Sequence, residues 1–362
     1  MQASLRRTAA ALAPRNVGAL YMWVVLILIF SIISPDVFAR PDTVKQVLNE
    51  YAVTGLIALG LLMPLCAGLY DLSIGSVAGL AGITSAWFLA NVSANPVLAV
   101  LVGLLAGMLV GVINIVVVLV MRVDSFIGTL ATSSIATAVV VALSGANTIV
   151  KNVNGSFSQW LGVKNVLGLT MPVGFMIVAM LILGYLLERT AFGRHVYATG
   201  YELEVARLGG IRVNRLRGIT LLMSSGLAGL AGIAVTGSLG AGDPTIGLSY
   251  LLPAFAAAFL GATQFRHGRF NPWGAVVAVL LLGTGDVGLL VVGAPSWSPQ
   301  IFNGALLITA VALTSAQGFN PLRALRRRIG RSATTSPPGV ELSPPQLAEQ
   351  EAVHTGSTPA AR

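Results

Sequence analysis

Charge is scarce in this sequence. Asp, Glu, Lys and Arg make up only 10% of its 362 residues, against roughly a quarter in soluble globular domains. The single cysteine, Cys66, excludes an intramolecular disulfide and a cysteine-rich metal site, and in its apolar setting it reads as a small buried side chain. The only lysines are Lys45, Lys151 and Lys164, and no G-x-x-x-x-G-K-[S/T] occurs. The chain therefore has no recognisable loop of its own for cradling nucleotide phosphates. H-E-x-x-H and G-x-S-x-G are also missing, and the three histidines, His195, His267 and His354, are scattered. No enzyme active site, metal site or cofactor site on this chain is expected.

In place of charge there are long oily runs. Hydrophobic residues make up 55% of the chain, and its mean hydropathy is +0.82. No charged residue occurs in 72–121, 125–150, 165–187, 218–242 or 287–322. A helix needs about 20 mainly apolar residues to cross a hydrocarbon core of about 30 Å, so several runs hold one span and the first holds two. A membrane β-barrel would instead alternate in strands of about ten residues. The expected fold is all-α and polytopic, with about ten transmembrane helices near 17–34, 46–68, 72–91, 96–121, 125–149, 171–187, 216–238, 249–265, 270–292 and 299–318. The 41 glycines suit helices that pack closely in lipid.

With both termini on the cytoplasmic side, only Arg40, Lys45, Lys151 and Lys164 of the 22 basic residues fall outside. That is the bias membrane insertion favours, and it explains the net charge of +9 without nucleic acid as a partner. The chain divides into a cytoplasmic segment (1–16), a transmembrane domain (17–318) and a cytoplasmic tail (319–362). The tail opens with Arg323, Arg326, Arg327, Arg328 and Arg331, suited to anionic lipid, and continues rich in Pro, Ser and Thr, a composition typical of disorder. "VFA" at 37–39 resembles a signal-peptide cleavage site, but the apolar core before it is long for a signal peptide. The first segment is expected to remain as a span. Tyr21, Trp23, Trp273 and Trp297, at span ends, are expected as interface anchors.

"DLSIG" at 71–75 returns as "DPTIG" at 243–247, each before an apolar stretch rich in small residues. In the expected topology the first follows an inward span and the second an outward one, so the halves would form an inverted repeat, a common transporter plan. Both motifs also read as ordinary helix starts with capping side chains. An acid at membrane depth is a functional candidate by default. Asp71 could cap a helix or contact solute. Asp286 lies among glycines that allow a helix break, and either packing or pathway lining would suit it. Asp71, Ser73, Asn114, Thr129, Asp243 and Asp286 form the candidate translocation path.

The remaining charge is gathered in one internal stretch, with Glu188, Arg189, Arg194, Glu202, Glu204, Arg207, Arg212, Arg215 and Arg217 between oily segments. Residues 202–211 have helical character, with Glu204, Leu208 and Ile211 on one face and glycines at either end. Such a tethered helix suits docking into a groove on another protein, although a solvated basic loop would read similarly.

The stretch "FGRHVYATG…EVARLGGIRVNRLR" resembles F-G-R-x-x-x-A-x-G followed by A-R-L-x-G-I, found in membrane permease subunits of ATP-binding-cassette importers of the ribose/xylose/galactose type. Within it, Glu204-Val205-Ala206 and Gly210 resemble the E-A-A-x-x-x-G coupling pattern, with Val as the middle residue. "DLSIGS", the Gly111/Asn114 pair, "FIGTL", "SGLAGLAGI", "LGAGDPTIG" and "FLGAT" extend the resemblance over about 45–317. The chain departs from the family at Leu69-Tyr70 (usually Gly-Ile), Ile115 (Gly), Glu202 (Asn), Asp243 (Gln) and Asp286 (Asn nearby).

The resemblance implies a multi-pass protein of a bacterial cytoplasmic (inner) membrane that moves a small hydrophilic solute, above all a pentose or hexose, into the cytoplasm. It also implies ATPase subunits that bind ATP and Mg on separate chains, an extracytoplasmic solute-binding protein, and a homodimer or sister permease. The loop at 188–215 becomes the ATPase coupling loop, with Gly193, Arg194, Gly200, Glu202, Glu204, Ala206, Arg207, Leu208, Gly210 and Ile211 as its candidate residues. Related branches carry branched-chain amino acids, nucleosides or a furanone signal. An ion-coupled secondary transporter using Asp71 and Asp286 is the competing class, but it leaves the charged stretch unexplained.

Overall fold

The computed structural model describes residues 18–38, 40–163, 168–265 and 268–318; the expected N-terminal segment and tail lie outside these residues. Thirteen helices carry the argument: α1 Gly18–Ile33, α2 Pro41–Cys66, α3 Ile74–Asn91, α4 Pro96–Ile115, α5 Ser125–Ser144, α6 Met171–Arg189, α7 Ala191–Tyr201, α8 Leu203–Leu208, α9 Val213–Leu239, α10 Ile246–Ser249, α11 Leu251–Ala262, α12 Pro272–Val291 and α13 Ser298–Gly318. Among the described residues there is no strand, only an isolated bridge between Ile149 and Gly242. The chain is a polytopic helical membrane protein. Among the described residues seven helices are long and apolar enough to span a membrane, and three shorter apolar helices stand where the other expected spans lie.

Sequence punctuation sets the ends. Asn95 accepts hydrogen bonds from the Val97 and Leu98 amides and starts α4, with Pro96 at its first position. Asp124 caps α5 in the same way, and Gly145, at φ +59°, closes it. The expected span to 149 therefore stops at Ser144.

α1 is part of the bundle. The Trp23 indole N–H donates to Thr284 Oγ1 at 2.8 Å, so this expected interface anchor instead turns its polar edge toward α12. Phe30 lies against Gly288, where a Cβ would overlap its ring. On α12, Gly283 and Gly285 receive Tyr51 and Phe302 in the same manner. The helix runs unbroken from Pro272 to Val291, so the break that its glycines allow at Asp286 does not occur. Its glycines admit neighbouring rings.

The echo in sequence has a counterpart in space. The 172 residues separating Asp71 from Asp243, added to the bounds of α2, α3, α4 and α5, land on α9, α10–α11, α12 and α13 to within a few residues. The equivalent helices α2 and α9 pack antiparallel: Arg217 Nε donates to Ala67 O, and further along Gly60 faces Ser224 and Leu227. The halves are therefore inverted. They meet at matching glycines, since a Cβ on Gly75 would stand 2.9 Å from Gly247 O and one on Gly247 would stand 2.6 Å from Gly79 N.

A side chain at Gly247 must displace backbone, an overpacking cost of about 1–3 kcal/mol. Gly247→Ala is expected to lower the unfolding temperature in detergent measurably, whereas Gly226→Ala, with nothing within 4 Å of the new methyl, should leave it unchanged. Equal temperatures for the two variants would refute the contact.

Candidate functional site

Two groups of sequence-predicted residues come together at separate places. The first surrounds Asp71. After α2 the chain turns at Gly68 (φ +72°) and runs non-helically to Ser73, where α3 begins. Both Asp71 and Ser73 are fully buried. Backbone carried this deep must find partners inside the protein, and α5 supplies them. Ser125 Oγ accepts from the Tyr70 amide at 3.1 Å, and Thr129 Oγ1 accepts from the Leu72 amide at 2.9 Å.

The Asp71 carboxylate accepts three further hydrogen bonds. Ser73 gives its amide (3.1 Å) and hydroxyl (2.6 Å) to Oδ1, and Ser224 on α9 gives its hydroxyl to Oδ2 at 2.7 Å. Behind Ser73, Asn114 Nδ2 on α4 donates to Ser73 Oγ at 2.7 Å, and Thr132 on α5 donates to Asn114 Oδ1 at 2.5 Å. Every donor in this chain points toward the carboxylate, and such serial bonds reinforce one another. Asp71 thus acts less as a cap of α3 than as the terminus of a network joining α3, α4, α5 and α9.

Asp243 repeats the local part of this pattern. Its Oδ1 accepts from the amide and hydroxyl of Thr245, each at 2.8 Å. It is half-buried and α10 follows it. Asp286 sits apart: its Oδ2 accepts from the Tyr51 hydroxyl and from Asn303 Nδ2 (2.8 Å), tying α2 and α13 to α12. Asn114 and Asp286 are again 172 residues apart. The six expected pathway residues therefore form one tight network and two separate positions.

None of the six lines the apolar cavity of about 810 Å³ bordered by Tyr70, Leu72, Phe126, Phe255, Phe259 and Phe270. Sequence reasoning passed over Tyr51, Ser224 and Asn303. Their only signal was a polar group inside an apolar run.

The second group lies in the charged stretch, which folds into α7 and α8. Thr190 starts α7 by accepting from the Gly193 amide at 3.3 Å. Gly193 has no room for a side chain against the backbone of Leu187, nor has Gly200 against Cys66 at the end of α2. The Tyr197 hydroxyl donates to Phe270 O at 2.6 Å, and burial holds this phenol well above its usual pKa, so it stays a donor. The Arg269 guanidinium lies 3.4 Å above the Tyr197 ring.

α8 ends by turning back. Gly210 adopts φ +78°, and the Ile211 amide donates to Ala206 O at 3.1 Å. Ile211 consequently leaves the face it was expected to share with Glu204 and Leu208. The exposed apolar row is instead Tyr201, Val205 and Leu208, at 85%, 65% and 88% exposure. Arg194, Gly200, Glu202, Ala206 and Ile211 border a groove of about 800 Å³ behind it. Glu204 and Arg207 pair at 2.8 Å on the outside, where such a bridge adds little stability.

Residues 43–311 match the family described as the permease component of branched-chain amino acid transport systems. The chain belongs to this permease family. It is 32% identical to the ribose import permease RbsC of Bacillus subtilis, over 80% of this chain and 89% of that protein. The D-allose transport system permease AlsC of Escherichia coli is 31% identical over 82% and 90%. The L-arabinose ABC transporter permease AraH of Azospirillum brasilense is 29% identical over 81% and 86%. No solved structure matches. The relatives are permease subunits of transporters, which is consistent with a transport subunit.

Asp71→Ala would leave the buried hydroxyls of Ser73 and Ser224 without their acceptor, a penalty of about 1–3 kcal/mol for each stranded group. Its unfolding temperature should fall clearly below that of Asp243→Ala, whose partner Thr245 is exposed. The reverse order would show that the network is not what holds the loop.

Proposed function

We propose that this chain is the membrane permease subunit of an ATP-binding-cassette importer that brings a monosaccharide, a pentose or hexose, into a bacterial cell across its cytoplasmic membrane. The observation that carries this reading is the conjunction of sugar-permease relatives over most of the chain with a folded, exposed α7–α8 element where those transporters would couple to ATPases. ATP and Mg would be bound by the partner ATPases, and this chain would hold no cofactor. A homodimer or a pair with a sister permease would sit on two ATPase subunits, with both termini and α7–α8 cytoplasmic. An extracytoplasmic binding protein would deliver the solute.

In this reading ATP-driven closure of the ATPases displaces α8, and the displacement passes through α7 to α2 and the Asp71 loop. The solute pathway then changes its access from one side to the other. Solute can bias this exchange only by binding the two states with different affinity. The Asp71, Ser73, Asn114, Thr129, Asp243 and Asp286 positions contribute to the pathway by setting helix positions around it. The family description favours one second reading, a branched-chain amino acid as cargo.

Leu208 is almost wholly exposed, so Leu208→Asp should fold normally. It is expected to lower ATP-dependent sugar uptake at least about tenfold and to remove the ATPase from the purified complex, with membrane abundance unchanged. Uptake of labelled ribose, allose, arabinose and leucine by cells carrying the intact transporter separates the cargo readings. Full uptake by Leu208→Asp together with a retained ATPase would overturn the coupling assignment.

A further inference from the structure

Behind the coupling element the structure forms a second, differently built pocket. A cavity of about 410 Å³ lies between α7, the α8 turn and the first turns of α9. Its lining combines His195, Arg212 and Arg215 with Gly209, Gly210 and the apolar side chains of Ile211, Leu216 and Ile219. Among the described residues neither Arg212 nor Arg215 forms an ion pair, although Arg207 nearby does. Two permanent positive charges and an imidazole therefore share a small concavity without a counter-charge. α9, long and apolar enough to cross a membrane, carries no charge from Gly218 onward, so the pocket lies at the helix's charged end, next to its uncharged stretch.

That combination is chemically selective. Guanidinium groups favour a phosphate over water because they offer paired N–H donors in a plane. A soluble phosphate has no use for the apolar wall of Ile211, Leu216 and Ile219. A phospholipid brings both parts together, with its phosphate among the arginines and its glycerol and first methylenes along the wall. Basic pockets beside spanning helices are suited to anionic headgroups for this reason. We propose that this pocket binds the headgroup of an anionic phospholipid and so ties the start of α9, next to the coupling element, to the membrane surface.

The test uses the full chain purified in mild detergent, with the five tail arginines between Arg323 and Arg331 replaced by Gln throughout so that the tail adds no charge of its own. Native mass spectrometry follows titration with phosphatidylglycerol, with phosphatidylcholine and with inorganic phosphate. One equivalent of phosphatidylglycerol should bind, with phosphatidylcholine and phosphate far weaker. Arg212→Gln combined with Arg215→Gln should weaken that binding about thirtyfold, whereas the Arg→Lys pair, which keeps the charge but loses the planar paired donors, should weaken it less than the glutamine pair.

Should the double glutamine variant fail to fold, each single variant, expected to weaken binding about fivefold, carries the same test. Unchanged phosphatidylglycerol binding in the glutamine variants would overturn the proposal. So would inorganic phosphate binding as tightly with the same arginine dependence, since the site would then be one for free phosphate. Loss of the ATPase partner from the glutamine variants with lipid binding intact would reassign the arginines to docking.

Discussion

Peptide groups taken into the interior of a membrane protein cannot turn to water, and the stretch around buried Leu69, Asp71 and Ser73 carries several of them there outside any helix. Each orphan amide costs several kcal/mol in such surroundings. The arrangement of α3, α4, α5 and α9 follows from that demand. Ser125 and Thr129 meet two of the amides, Asp71 meets a third, and Ser224, Asn114 and Thr132 hold the groups that do so. The helices are joined by polar bonds where hydrophobic attraction between them would vanish in lipid.

Close backbone packing supplies the rest. The sites at Gly75 and Gly247, Gly232 against Ala78, and the four glycines of α12 have no room for a methyl group. Dispersion acts over every atom pair brought to contact, so small residues at these points let whole helices lie against one another. The inverted repeat economises on such contacts: one helix pattern, used twice in opposite senses, meets itself at Gly75 and Gly247.

The polytopic helical plan was legible because the lack of charge leaves few places for a chain to be anything else; the expected spans fall on helices, seven of which, among the described residues, are long and apolar enough to cross a membrane. The α7–α8 element was legible from its charge and its motif, and the echo of Asp71 and Asp243 from five residues of sequence. The missed partners of the two acids share one physical cause. Ser224 lies 153 residues from Asp71, and Tyr51 lies 235 from Asp286. Which hydroxyl meets which acid is decided by helix packing, to which a window of neighbouring residues is blind. The glycines around Asp286 were read as freedom to bend because sequence shows the absent side chain and not the ring that fills its place. Ile211 was misassigned because a helical wheel continues where a glycine at φ +78° turns the chain back.

Gly200 meets Cys66 and Gly68 backbone to backbone, with no side chain between them. Side chains are the compliant part of a protein interface: they change rotamer and absorb a shift of an ångström or so before the main chain responds. Here that cushion is missing. A displacement of α7 would therefore bear directly on the backbone at Gly68, and the first groups beyond that turn are the amides held by α5. α7 and the buried acid, far apart along the chain, are thus joined through a backbone contact.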